Sequence, residues 1–286
     1  MNARRFLFTL LKWFGAFALA IGIVVCVRVF CIESYQISTK SMEETLHQGD
    51  YILVNKIHSK KKSYQNKVVL FTSPLSRDSI HHPLFISRCI GMPGDTIRID
   101  NEGYTVNGKK TPRSPLSLSS FFITSKHKDH LVNVLDKLHI PLRDLTKEAY
   151  GYLLSLTAFE EYQIRDELTA EANKHFVAEQ TQAYRLIVPR KDQAYSLDPA
   201  SLVACKEIIL NETNGEASFR NGKLYLDGRE TNFFFFKQDY YWVLSDNINE
   251  AIDSRHLGFI PADHIIGNAW FCWYSANKQR IFKTVK

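Results

Sequence analysis

The sequence predicts a mainly β protein: an N-terminal transmembrane helix, then an antiparallel β scaffold in two halves with a mixed α/β insertion between them. Three observations carry that expectation. A run without charge stretches from Trp13 to Val27. Short apolar segments separated by turn residues fill positions 33–111 and return after Asn221-Gly222. Between these halves, apolar residues recur at helical spacing.

The apolar run fixes the compartment. A spanning helix needs about 20 mainly apolar residues. The run reaches that length if Lys12 and Arg28, at its two ends, extend their charged ends to opposite interfaces. Arg4 and Arg5 place the N-terminal side in the cytoplasm, so everything after residue 32 lies across the membrane. The rival is a cleaved secretory signal, because Ala18-Leu19-Ala20 resembles a cleavage site. The apolar run continues to Val27, however, which would bury that site in the bilayer, so an uncleaved anchor is expected.

Beyond the anchor, Tyr35, Ile37, Tyr51 and Leu53 alternate with polar neighbours, and Val68–Phe71 and Leu84–Ile90 have strand character. Met92-Pro93-Gly94-Asp95 reads as a turn. Thr96–Asp100 and Tyr104–Val106 read as a hairpin closed by Asn107-Gly108. Leu131, Val134, Leu135 and Leu138 predict a helix that stops before Pro141. Thr157 and Glu160 form a capping-box pattern for a second helix running through Ile164 and Leu168. Strands resume with Lys223–Asp227, Phe233–Phe236, Tyr240–Leu244 and Ala269–Tyr274. Phe233–Phe236 reads as a strand buried on both faces, with a wedge dipping into the bilayer as the rival. The expected division is 1–32 anchor, 33–111 first half, 112–220 insertion or cap, and 221–286 second half.

Composition narrows the chemistry. The chain has 286 residues, 45% apolar and 23% charged, with a net charge of +6, and its one basic tract is Lys60-Lys61-Lys62. No nucleic-acid partner is expected. Five cysteines without paired spacing indicate neither a disulfide framework nor a CxxC metal site. His81-His82 is the obvious pair of metal-ligand residues, but adjacent strand residues face opposite ways and no ligand set accompanies them. Neither metal nor cofactor is expected.

The residues that suggest catalysis are Ser41, with a hydroxyl two positions before it on Thr39, and the polar knot of Asp246-Asn247 and Asp253-Ser254-Arg255. A nucleophilic serine needs a base for its proton and donors for the oxyanion. The bland alternative for the knot is a surface ion pair of little energetic weight.

The motifs taken in order resemble those of the bacterial, membrane-anchored type I signal peptidases. That family has a motif S-G-S-M-x-P-T-L-x-x-G-D; here Thr39-Lys40-Ser41-Met42-Glu43-Glu44-Thr45-Leu46-His47-Gln48-Gly49-Asp50 stands. For K-R-x-x-G-x-P-G-D the chain has Ser87-Arg88-Cys89-Ile90-Gly91-Met92-Pro93-Gly94-Asp95. For G-D-N-R-x-x-S-x-D-S-R it has Ser245-Asp246-Asn247-Ile248-Asn249-Glu250-Ala251-Ile252-Asp253-Ser254-Arg255, followed by Gly258-Phe259-Ile260-Pro261. The insertion carries none of these motifs.

The resemblance implies a serine endopeptidase fold working on signal peptides of exported preproteins at the outer face of the cytoplasmic membrane. It puts Ser41 at the nucleophile position and Thr39 at the oxyanion hole. The family's general-base lysine falls on Ser87, and the serine that hydrogen-bonds it falls on Ala251. Arg88, Asp246, Asp253, Ser254 and Arg255 are support. A serine hydroxyl does not take a proton near neutral pH, whereas a buried lysine can.

The expected protein is therefore a single-pass protein of the bacterial inner membrane that binds signal peptides, or an active signal peptidase, without cutting. The alternative is a working peptidase whose base is Lys40 or His82 or comes from a partner chain. A third reading is an envelope protein whose function lies in the insertion.

Overall fold

The computed structural model describes residues 3–57, 63–75, 83–100, 103–111, 113–179 and 183–285. A helix, Ala3–Phe30, opens the chain. Its segment Leu11–Phe30, with mean hydropathy 2.2, is long and apolar enough to cross a membrane and is not buried among the described residues. The strand Ile32–Gln36 follows almost at once.

That strand starts a seven-stranded antiparallel sheet in which the two ends of the chain interleave. The order is Ile32–Gln36, Tyr51–Asn55, Ile265–Tyr274, Val68–Thr72, Leu84–Gly91, Tyr240–Leu244 and Ile260–Pro261. Late strand Ile265–Tyr274 sits between two early ones, and Tyr240–Leu244 pairs with Leu84–Gly91. Both halves therefore make one scaffold. The side chains of Ile37, Met42, Leu46, Ile52, Val54 and Val68 fill one core beneath it. Phe71, Cys89, Val243, Leu257 and Ile260 fill another.

Thr96–Asp100 pairs with Gly103–Val106 as expected, with Ile97 opposite Val106. Asn107-Gly108 does not close that hairpin, however. It turns the chain into a further strand, Lys109–Thr111, which pairs back on Gly103–Val106. Both Asn107 and Gly108 take the positive φ that such a turn demands.

The stretch from 112 to 220 contributes to two bodies. Residues 118–178 build a separate four-stranded sheet in the order Phe176–Ala178, Leu118–Thr124, Gly151–Thr157, Thr146–Lys147. Helices Lys128–Leu138 and Ala158–Glu167 cover it, with their own core around Leu131, Leu135, Leu154 and Phe176. The Thr157–Glu160 capping box forms in full. The strand Tyr184–Ile187 instead pairs with Thr96–Asp100. The helix Pro199–Glu212 packs Cys205, Ile208 and Ile209 into a scaffold core with Trp242 and Phe259.

Phe233–Phe236 is not buried on both faces. Phe234 and Phe236 lie in the core, while Phe233 and Phe235 are 54% and 63% exposed. Among the described residues the strand Phe233–Phe235 pairs with Ala194–Ser196 alone, which leaves its other edge unpaired, and only the face that carries Phe234 packs on the core.

Candidate active site

The nucleophile candidate sits in a turn that follows the first strand. Buried Ile37, Met42 and Leu46 anchor this turn to the core. Gly49, at φ +93, folds the chain back so that its N–H bonds to the Ile37 carbonyl at 2.8 Å. Ser41 is 7% exposed. Its Oγ lies 3.0 Å from Thr39 Oγ1 and donates a long 3.4 Å bond to the Ile86 carbonyl. The Ser41 carbonyl accepts from Asn247 N at 2.9 Å, and Lys40's accepts from Asn247 Nδ2 at 3.2 Å. Sequence positions 41, 86 and 247 thus converge.

Ser87 is fully buried on the strand Leu84–Gly91, opposite Val69. Its Oγ meets Ser245 Oγ at 2.9 Å. Ser245 stands where the family motif has glycine. The two hydroxyls satisfy one another across 158 positions of sequence. No hydrogen bond joins Ser41 to Ser87 among the described residues. The acceptors that Ser41 does have, a carbonyl and a hydroxyl, take no proton near neutrality. Ala251 is 8% exposed and brings no polar side-chain atom.

The supporting residues form a buried charged frame. Arg88 forks onto Asp246, Nε to Oδ1 at 2.9 Å and a terminal nitrogen to Oδ2 at 2.6 Å, and a further N–H reaches the Asn66 carbonyl at 3.1 Å. Thr45 Oγ1 donates to Asp246 at 2.5 Å, tying the Ser41 turn to the same carboxylate. Asp253 is fully buried and accepts from Ser245 N at 2.9 Å and from Arg255 Nε at 2.9 Å. Ser254 Oγ accepts from Val243 N at 2.9 Å. Asp253 also caps the short helix Ser254–Leu257, which ends at Gly258 with φ +74. A Cβ on Gly258 would stand 2.7 Å from the Ala204 carbonyl oxygen, so only glycine fits. These are not surface ion pairs: Arg88 is 2% and Asp246 3% exposed.

Three contacts escaped the sequence reading. Ser245 was visible as a glycine replaced, but its partner was not. Arg280 bonds Asp50 Oδ2 at 2.9 Å and the Thr45 carbonyl at 2.8 Å, and no motif contains it. Arg143, from the 118–178 unit, reaches Glu44 Oε1 at 2.7 Å while forking onto Glu160 at 2.9 Å. Glu44 holds φ +71, a conformation closed to the proline the family motif has there.

Lys40 is exposed and lines a cleft of about 360 Å³ with Glu43, Glu44, His47 and Arg143. No hydrogen bond from its amine to Ser41 is present. His81 and His82 lie outside the described residues. Cys89, beside Arg88, is fully buried, and burial pushes its thiol well above the ordinary range, so it offers no nucleophile.

The comparison with known proteins decides the family. Residues 10–274 match the signal peptidase family, peptidase S26. The chain belongs to it. The protein is 23% identical over 276 residues to a signal peptidase I of Buchnera aphidicola subsp. Baizongia pistaciae, covering 93% of this chain and 77% of the relative. It is 26% identical over 259 residues to a signal peptidase I of Aquifex aeolicus, covering 88% and 79%. Similarity to a signal peptidase I T of Bacillus subtilis is 31% over 110 residues, covering 38% of this chain and 54% of that one. The mainly β scaffold after an apolar helix fits this family.

Proposed function

We propose that this signal peptidase family protein is anchored in the bacterial cytoplasmic membrane, with its main domain outside, and binds signal peptides of exported preproteins without cutting them. The observation that carries the reading is the 2.9 Å contact between Ser87 Oγ and Ser245 Oγ. Two hydroxyls occupy the ground where the family has a lysine and a glycine. Absence of a general base costs about 10²- to 10⁴-fold in rate. Loss of one member of a catalytic pair can cost as much as loss of both. Thr39 beside Ser41 keeps the oxyanion hydroxyl, and the buried frame holds the Ser41 turn through Thr45 and Asp246.

The strands beside the apolar helix support the membrane placement. Ile32–Gln36 leaves the helix and pairs with Tyr51–Asn55, which pairs with Ile265–Tyr274. Trp270, Trp273 and Tyr274 on that last strand are 49%, 39% and 51% exposed. Amphipathic aromatic rings favour the headgroup level. A substrate would lie extended along strand edges near Ser41, with small side chains in shallow pockets. An active signal peptidase is the second partner expected.

The test uses the full-length protein in detergent with a fluorescent signal peptide carrying alanine at the first and third positions before the cut. Saturable binding, weakened when those alanines become tryptophan, with no cleaved product, is the expected result. Cleavage lost in Ser41→Ala would mean a working peptidase, and the search for its base would begin at Lys40 and His82. Absence of binding would leave the motifs as scaffold only.

A further inference from the structure

We propose that the cap carries a binding site for a zinc-class divalent metal ion, formed by His127, Glu171 and His175. The proposal is independent of whether Ser41 cuts. The nearest ligand atoms of these three side chains all lie within 4.8 Å of one another. His175 Nε2 and Glu171 Oε1 are already 3.7 Å apart. Ligands of one tetrahedral zinc ion, each at about 2.0–2.2 Å from the metal, stand roughly 3.3 Å apart. The widest pair thus needs to close by at most about 1.5 Å.

The backbone that carries the ligands is fixed. Phe176 pairs with Ile123, and Val177 with Phe122, so the ends of two strands are locked side by side. His127 lies four residues beyond Ile123, and His175 directly precedes Phe176. Phe176 is fully buried and stacks on Phe121 at 5.3 Å. Glu171 and His175 sit one helical turn apart on Ala170–Lys174 and its cap, which places them on one face. Arg165 holds that turn through Asn173 Oδ1 at 3.0 Å and the Phe176 carbonyl at 3.1 Å. Rigid strands and a tied turn hold the ligand-bearing positions, as a metal site requires.

The donor set selects the ion. Two imidazoles and one carboxylate suit zinc and its neighbours rather than calcium or magnesium, which prefer all-oxygen shells. The imidazoles now lie nearly parallel, 15° between planes with centroids 5.3 Å apart. One ion cannot sit in the planes of two rings stacked in this way. Binding therefore turns one ring about its Cβ–Cγ bond, and the exposure of His175 leaves room for it. Lys174 lies 3.9 Å from the Glu171 carboxylate, but both are solvated and the contact is weak. Three protein ligands leave a fourth position for water. The 44 positions separating His127 from Glu171 hid this group from any reading of local spacing.

The test is titration of the tag-free, full-length protein with zinc chloride by calorimetry, with cobalt(II) absorption as the probe of geometry. One ion per chain is expected, with the intense visible bands of a tetrahedral site. His127→Ala and His175→Ala should each weaken binding by about tenfold or more, as loss of even an outer-shell partner costs 10–100-fold. His47→Ala and His82→Ala should leave it unchanged. Zinc should slow amide exchange over 123–127 and 170–178, and calcium should not compete. No zinc uptake, or equal uptake by the His127→Ala/His175→Ala double variant with its circular dichroism unchanged, overturns the proposal. So does loss of binding in His82→Ala.

Discussion

A buried lysine and a buried serine make different demands on their surroundings, and the surroundings of residue 87 meet the serine's. Ser87 needs one small hydroxyl partner and has it in Ser245 at 2.9 Å. Introducing lysine at 87 alone would drive a long side chain into that hydroxyl. Overpacking of this kind costs about 1–3 kcal/mol. Ser87→Lys should lower the urea midpoint, and adding Ser245→Gly should recover most of the loss. Asp246→Ala should be worse, because it strands the Arg88 guanidinium away from water. Breaking a buried pair in this way costs about 3–5 kcal/mol, again read from urea unfolding. The motifs made Ser41, Ser87, Arg88 and Asp246 legible in the sequence, because their spacing is local. The 87–245 contact was not, because it spans 158 positions. Arg280 and Arg143 had no local signature at all.

Among the elements, the anchor helix and the capped helix were legible because their signals are contiguous. Thr157 accepts from the Glu160 N–H while Glu160 accepts from the Thr157 N–H at 2.8 Å. Thr157→Ala should cost about 1 kcal/mol, within a range of 0.5–2. Glu160 also holds Arg143, so the loss should spread to the Glu44 contact and loosen the Ser41 turn. Hydrogen exchange at 41–46 checks this. The helix Pro199–Glu212 was less legible. Its apolar residues Leu202, Val203, Cys205, Ile208, Ile209 and Leu210 surround the axis and blur the period, although Asp198-Pro199 is an N-cap and N1 pair that marks its start. Phe233–Phe236 misled because four identical residues carry no alternation. The structure supplies it by packing one face, with Phe234 and Phe236, on the core.

At the scale of the molecule, the interleaving of early and late strands was not legible, since no local pattern encodes which strand lies beside which. It makes the scaffold depend on both halves, with the unit 118–178 standing on it as a cap. A titration follows from the shared cores. Burial raises the phenols of Tyr184, Tyr195 and Tyr240 far above their ordinary value, and Tyr241's to about 12. The unfolded chain loses these protons near pH 10. The stabilising contribution is complete below that pH and is lost as pH rises toward the folded values. The part of the phenolate absorbance due to these four should therefore appear only together with unfolding, above about pH 10. Full phenolate absorbance reached before any unfolding would mean that these phenols ionise in the folded state.

On the proposed function, the scaffold is sound and what it lacks is the base and the small residues that seat it. The most direct measurement is preprotein cleavage by the wild-type chain beside the Ser87→Lys/Ser245→Gly/Ala251→Ser triple variant and the same variant with Ser41→Ala. No cleavage by wild type, cleavage by the triple variant, and its loss when Ser41 is removed are expected. Cleavage by wild type that depends on Ser41 would contradict the proposed function.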